Sequence, residues 1–140
     1  MGEPTDPARA RSHRHGWWLL ALVVACGASF PFLSRMMNAN ERPRLLQAVA
    51  LVDHGTWALD PVIAGGIDPG VDVARAPAEH GGGLYPNKPP GATVPAVLAY
   101  AIQRVWCAAS GGVPSLAGLT LLARLFGALL PIVVLAELAR

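Results

Sequence analysis

Apolar and polar stretches alternate along this chain, and the lengths of the apolar ones set the expected architecture. Trp17 to Ser34 runs for 18 residues without a charge, WWLLALVVACGASFPFLS. At 1.5 Å per residue such a helix spans roughly 27 Å, close to the ~30 Å hydrocarbon core of a bilayer. A second uncharged run follows Lys88, and residues 92–108 are predicted as its membrane-crossing part. Residues 116–136 form a third apolar run, with Arg124 near its middle. A charge at that depth costs at least about 2.5 to 3.5 kcal/mol on insertion scales, so Arg124 is expected to face protein or water. No residue of the chain obviously pairs with it.

Between the first two runs lies a polar loop, 35–91. It opens on a marked helix, 40–54. Asn40 is a good N-cap, and Glu41 sits in the first turn, where the helix dipole favours an anion. Pro43 falls among the first-turn residues that lack an intrahelical partner, and Gly55 is a natural stop. At 100° per residue Leu45, Val49 and Val52 share one face. Asn40, Arg44, Gln47 and His54 share another, with Glu41 at its margin. This predicts an amphipathic helix lying along the membrane, its polar face towards a cavity or water. From Thr56 to Gly83 the chain is expected to be irregular, with turns at Asp60-Pro61 and Asp68-Pro69-Gly70, and with Trp57 to Leu59 and Val71 to Val73 left open as short extended pieces outside any sheet. Glu79, His80, Asp60, Asp68 and Asp72 lack the paired spacing of a metal site and read as an exposed loop.

Composition agrees with the pattern. Hydrophobic residues make up 53% of the chain and charged ones 14%, against about 25% in soluble domains. The expected class is an all-α integral membrane protein with about three transmembrane helices and a large extracytoplasmic loop. Arg9, Arg11 and Arg14 precede the first run, which puts residues 1–16 in the cytoplasm as a disordered tail. Trp17 and Trp18 suit the inner interface, as do Arg104 and Trp106. A net charge of +2 with dispersed cations leaves no nucleic-acid footprint. Cys26 and Cys107 lie in apolar runs and are expected as free buried thiols. Two other readings of the N-terminal run are a cleaved signal peptide and a lipoprotein box, Val23-Val-Ala-Cys26, with Cys26 acylated.

The stretch from Leu84 to Pro95, LYPNKPPGATVP, holds the candidate chemistry. Tyr85 is an interface-type aromatic, Lys88 the last cation before a long uncharged run, and Gly91 leaves the backbone bare. A cation beside bare backbone can hold a phosphate as a point charge. The same lysine also reads as a snorkelling side chain at a helix end.

Three motifs in this order resemble the start of C-type membrane glycosyltransferases. They are Asn40-Glu41 with Arg44, then Gly55-Thr56-Trp57, then Tyr85 with Lys88, Pro89, Pro90 and Gly91. The nearer resemblance is to the protein mannosyltransferase and aminoarabinose (lipid A) transferase group and to related bacterial membrane proteins. It implies sugar transfer from a polyprenyl-phosphate carrier on the outer face of the bacterial cytoplasmic membrane. It also implies that Glu41 is the base, that Lys88 and Arg44 bind the lipid phosphate, and that Asn40, Tyr85 and Gly91 support them. General-base help is typically worth 10²- to 10⁴-fold.

Many members of the group carry an Asp-Glu pair where this chain has Asn40-Glu41, so Glu41 alone must serve or another loop must supply the base. In some relatives the paired acid helps hold a divalent metal, which puts metal binding here in doubt. The group also has many more transmembrane helices. The chain is therefore expected to be the N-terminal part of a longer protein, or a subunit packed against others, and inactive in isolation. A reading from another class is a small membrane-anchored binding or assembly protein, with loop 35–91 as its interaction surface.

Overall fold

The computed structural model describes residues 16–25 and 40–138. The described residues fall into two compact units, one of 40–128, the other of 16–25 together with 129–138. Helix α1, Gly16–Ala25, is the described part of the first apolar run, with Trp17 and Trp18 exposed. The rest of that run, the N-terminal tail and Cys26 lie outside the described residues. Cys107 is a free thiol, half-buried.

The larger unit is built around helix α2, Glu41–His54. Gly55 ends it in the left-handed conformation (φ 66°), its N–H donating to the Leu51 carbonyl at 3.0 Å. Asn40 precedes the helix, but its backbone is helical and its side chain makes no capping hydrogen bond. After α2 come a short helix α3, Asp60–Ala64, and two strands, β1, Val73–Arg75, and β2, Leu84–Pro86. The strands pair antiparallel, Val73 opposite Pro86 and Arg75 opposite Leu84. The expectation of an irregular stretch from Thr56 to Gly83 is thereby corrected. Asp60-Pro61 opens a helix instead of a turn, since proline fits a first helical turn. The ladder joins residues too far apart for local patterning to reveal. The Asp60 carboxylate accepts the Leu84 N–H at 2.7 Å, and the Leu59 N–H donates to the Leu84 carbonyl at 2.8 Å, which fastens the hairpin to α3.

A 3₁₀ turn, Pro90–Thr93, leads into helix α4, Val94–Ser110. Helix α5, Leu116–Arg124, follows, its N-cap Ser115 accepting the Gly118 N–H at 3.1 Å. A π-helical turn, Leu125–Leu129, joins it to helix α6, Leu130–Leu138. Among the described residues, two helices are long and apolar enough to cross a membrane, Pro90–Ser110 and Leu116–Leu138. The expected spans, 92–108 and 116–136, lie within them. Helices α4 and α5 run antiparallel: Gln103 donates to the Ser115 carbonyl at one end, and Gly127 sits beside Pro95 at the other.

Helix α2 buries more than the one apolar face its periodicity predicts, while Asn40, Glu41 and Arg44 of its polar face border a cavity. It is covered on two sides. Leu45 and Ala48 pack with Ala96, Ala99, Tyr100 and Leu119, while Leu46 and Ala50 pack with Leu59 and Val62. Even Gln47, expected on the polar face, is buried. Its amide donates to the Trp57 carbonyl at 3.1 Å and accepts the Thr93 hydroxyl at 2.9 Å. Such a buried amide costs free energy unless both ends are bonded. The contacts from Gln47 to Thr93 and from Asp53 to Tyr100 set α2 running in the same direction as α4.

Candidate functional site

The first turn of α2, the entry to α4 and the end of α5 surround a cleft of about 500 Å³. One wall is apolar, with Ala92, Pro95 and Ala96 facing Ala123, Gly127 and Ala128. Asn40, Glu41, Arg44 and Arg124 supply the polar part.

Arg124 donates through Nε to Glu41 Oε1 at 3.2 Å and through Nη2 to Glu41 Oε2 at 3.0 Å. The expectation that Arg124 lacks a partner within the chain is therefore corrected. Its guanidinium fork matches a carboxylate in two parallel bonds, a geometry lysine cannot reproduce. About a quarter of each side chain is exposed, so the pair sits at the lip of the cleft. Arg44, one turn beyond Glu41, is half-buried, and its Nε is buried without a hydrogen-bond partner. A buried cationic donor with an open valence stabilises an anion placed beside it.

The three residues placed together by the sequence motif, Asn40, Glu41 and Arg44, thus line one cleft. Lys88, Tyr85 and Gly91 do not line it. Lys88 is exposed on the segment between β2 and the 3₁₀ turn, Gly91 is exposed within that turn, and Tyr85 is half-buried in β2 opposite Ala74. Ala92, which follows Gly91 just outside that motif, lies on the cleft wall.

Arg124 is the site residue that motif order does not identify. The one signal for it is a lone charge inside an apolar run, which demands a counter-charge. A second ion pair sits at the far end of α2. Asp53 accepts the Tyr100 hydroxyl at 2.7 Å and pairs with Arg104 Nε at 3.0 Å. The two arginines of the apolar helices are thus both met by carboxylates of α2.

Chemically, the cleft suits an anion carrying an apolar tail. Among its described lining residues it has one more cation than anion. Both Glu41 oxygens face a guanidinium, and no three His, Cys, Asp or Glu side chains come together among the described residues. No protein-family model matches the chain, and no curated protein or solved structure matches it.

Proposed function

We propose that this chain is the N-terminal, donor-site portion of a membrane glycosyltransferase that takes its sugar from a polyprenyl-phosphate carrier. The observation behind the reading is that Glu41, Arg44 and Arg124, with Asn40, line one cleft whose remaining walls are apolar. Arginine suits the phosphate of such a carrier, and the alanine and proline walls suit the start of its hydrocarbon chain. The motif order from Asn40 to Gly91 supports the same reading. In it the N-terminus is cytoplasmic, and the cleft opens at the outer face of the bacterial cytoplasmic membrane.

In the transfer, the acceptor hydroxyl oxygen bonds to the anomeric carbon of the sugar. The bond from that carbon to the phosphate oxygen breaks, and its electron pair stays on the phosphate. The hydroxyl proton passes to Glu41. A carboxylate has about four lone-pair positions, so two bonds from Arg124 leave room for that proton. Arg44 and Arg124 stabilise the charge that develops on the leaving phosphate. Further helices complete the acceptor side, and the isolated 140 residues do not carry out transfer.

The test uses the full reading frame that contains this chain, reconstituted in vesicles with a labelled polyprenyl-phosphate hexose or pentose. Conversion of the carrier to polyprenyl phosphate, lost in Glu41→Gln, supports the reading. Undiminished conversion by Glu41→Gln overturns the assignment of the base. One observation, that both Glu41 oxygens are held by Arg124, favours a second reading as a membrane-anchored binding protein. That protein retains the carrier and converts none of it.

A further inference from the structure

The charge balance of the cleft carries a consequence for which phosphate it prefers. Arg44 and Arg124 line it together with a single carboxylate, Glu41, and the remaining described lining residues are neutral. A phosphodiester bears one negative charge and exactly offsets that excess. A phosphomonoester bears about 1.5 to 2 at pH 7 and leaves negative charge uncompensated in a cleft with apolar walls. Two arrangements follow. A diester engages Arg44, whose Nε is open, while Arg124 stays on Glu41. A monoester needs both guanidiniums and must compete with Glu41 for Arg124.

We propose that Glu41 is a charge-selectivity residue, one that tunes this cleft to a lipid phosphodiester over the lipid phosphomonoester left after transfer. The inference rests on reading the cleft as a lipid-phosphate site. It gives Glu41 a second task beyond accepting a proton. Ionised, it favours the sugar-loaded carrier. Once it has taken the acceptor proton, the cleft holds two uncompensated cations and retains the spent carrier. Release of the spent carrier then follows loss of that proton from Glu41. Arg124, Arg44 and Asn40 are the polar groups that line the cleft beside Glu41, from α5, from α2 and from the residue preceding it. At an effective dielectric of about 20, one extra phosphate charge within roughly 10 Å of the Glu41 carboxylate costs on the order of tenfold in affinity.

The experiment titrates the full chain in detergent micelles at pH 8 with two probes that share one tail, farnesyl phosphate and its methyl ester. The first is a monoester, the second a diester. The ratio of the two dissociation constants is the readout, since a merely structural role moves both together. Wild type is expected to favour the diester. Glu41→Gln, which keeps the shape and mimics the protonated acid, is expected to shift the ratio at least about tenfold towards the monoester. Arg44→Gln is expected to shift it the other way, which keeps the test open if Glu41→Gln does not fold. An unchanged ratio in the folded variants overturns the selectivity role while leaving the lipid-phosphate site standing. Failure of wild type to bind either probe overturns both. Inorganic phosphate is the third arm: competition as strong as that of farnesyl phosphate makes free phosphate the occupant and removes the lipid from the proposal.

Discussion

Arg124 and Glu41 are 83 positions apart and meet through two hydrogen bonds, at 3.2 and 3.0 Å. The pair joins the last residue of α5 to the first residue of α2. It neutralises a charge placed inside an apolar helix, and it places the cleft's carboxylate and one of its guanidiniums in a fixed relation. Structure and candidate chemistry therefore depend on the same two side chains.

Removing one member leaves the other as a charge with about three-quarters of its surface out of water. Breaking a well-buried pair typically costs 3 to 5 kcal/mol, and partial exposure reduces this to roughly 2 kcal/mol here. Arg124→Met alone is expected to lower stability by that amount in denaturant unfolding in micelles. Combined with Glu41→Gln it is expected to cost clearly less than the sum of the two singles. Additive losses would remove the coupling between them.

At the other end of α2, the two partners of Asp53 differ in worth. Tyr100 is buried and donates to a carboxylate, whereas the Arg104 side chain is about half exposed (52%). A hydrogen bond to a charged group contributes about 1.5 to 3 kcal/mol, an exposed ion pair about 1 or less. Tyr100→Phe is therefore expected to destabilise more than Arg104→Gln under the same unfolding assay. The reverse order would mean that the ion pair fastens α2 to α4.

Where α5 begins, its contact with α4 has a glycine that leaves room for a side chain of α4. A methyl group at Gly118 would collide with the Gln103 amide, which is buried and donates to the Ser115 carbonyl. Alanine in place of glycine gains about 1 kcal/mol of helix propensity but displaces that amide, at a cost of about 1 to 3 kcal/mol. Gly118→Ala is expected to be neutral or destabilising in wild type and stabilising by about 1 kcal/mol in a Gln103→Ala background. Equal effects in the two backgrounds would separate Gln103 from this contact.

Arg44 lines the cleft with an open buried donor, whereas Lys88 is exposed and does not line it. Retention of a labelled polyprenyl-phosphate sugar by the chain in micelles is expected to fall tenfold or more in Arg44→Ala and by a smaller factor in Lys88→Ala. A larger loss from Lys88→Ala would move the phosphate to the turn before α4.

The chain's own order of residues determined the local features. Uninterrupted apolar runs, a proline-tolerant first turn and a terminal glycine are properties of neighbours. For that reason the start of α2 at Glu41, its stop at Gly55 and the apolar character of α4 and α5 were legible without a structure. The grouping of Asn40, Glu41 and Arg44 was legible for the same reason, since one helical turn brings such positions together. Only the tertiary structure decided what these features meet. The 3.6-residue period of α2 pointed to one apolar face, but Leu46 and Ala50 found a second partner in α3, so a helix expected at a surface became a centre of packing. The β1–β2 ladder and the Glu41–Arg124 pair join distant positions, and no local period encodes which of several carboxylates an arginine will reach. That choice depends on the antiparallel fold of α4 on α5, which carries Arg124 back to the end of the unit where α2 begins.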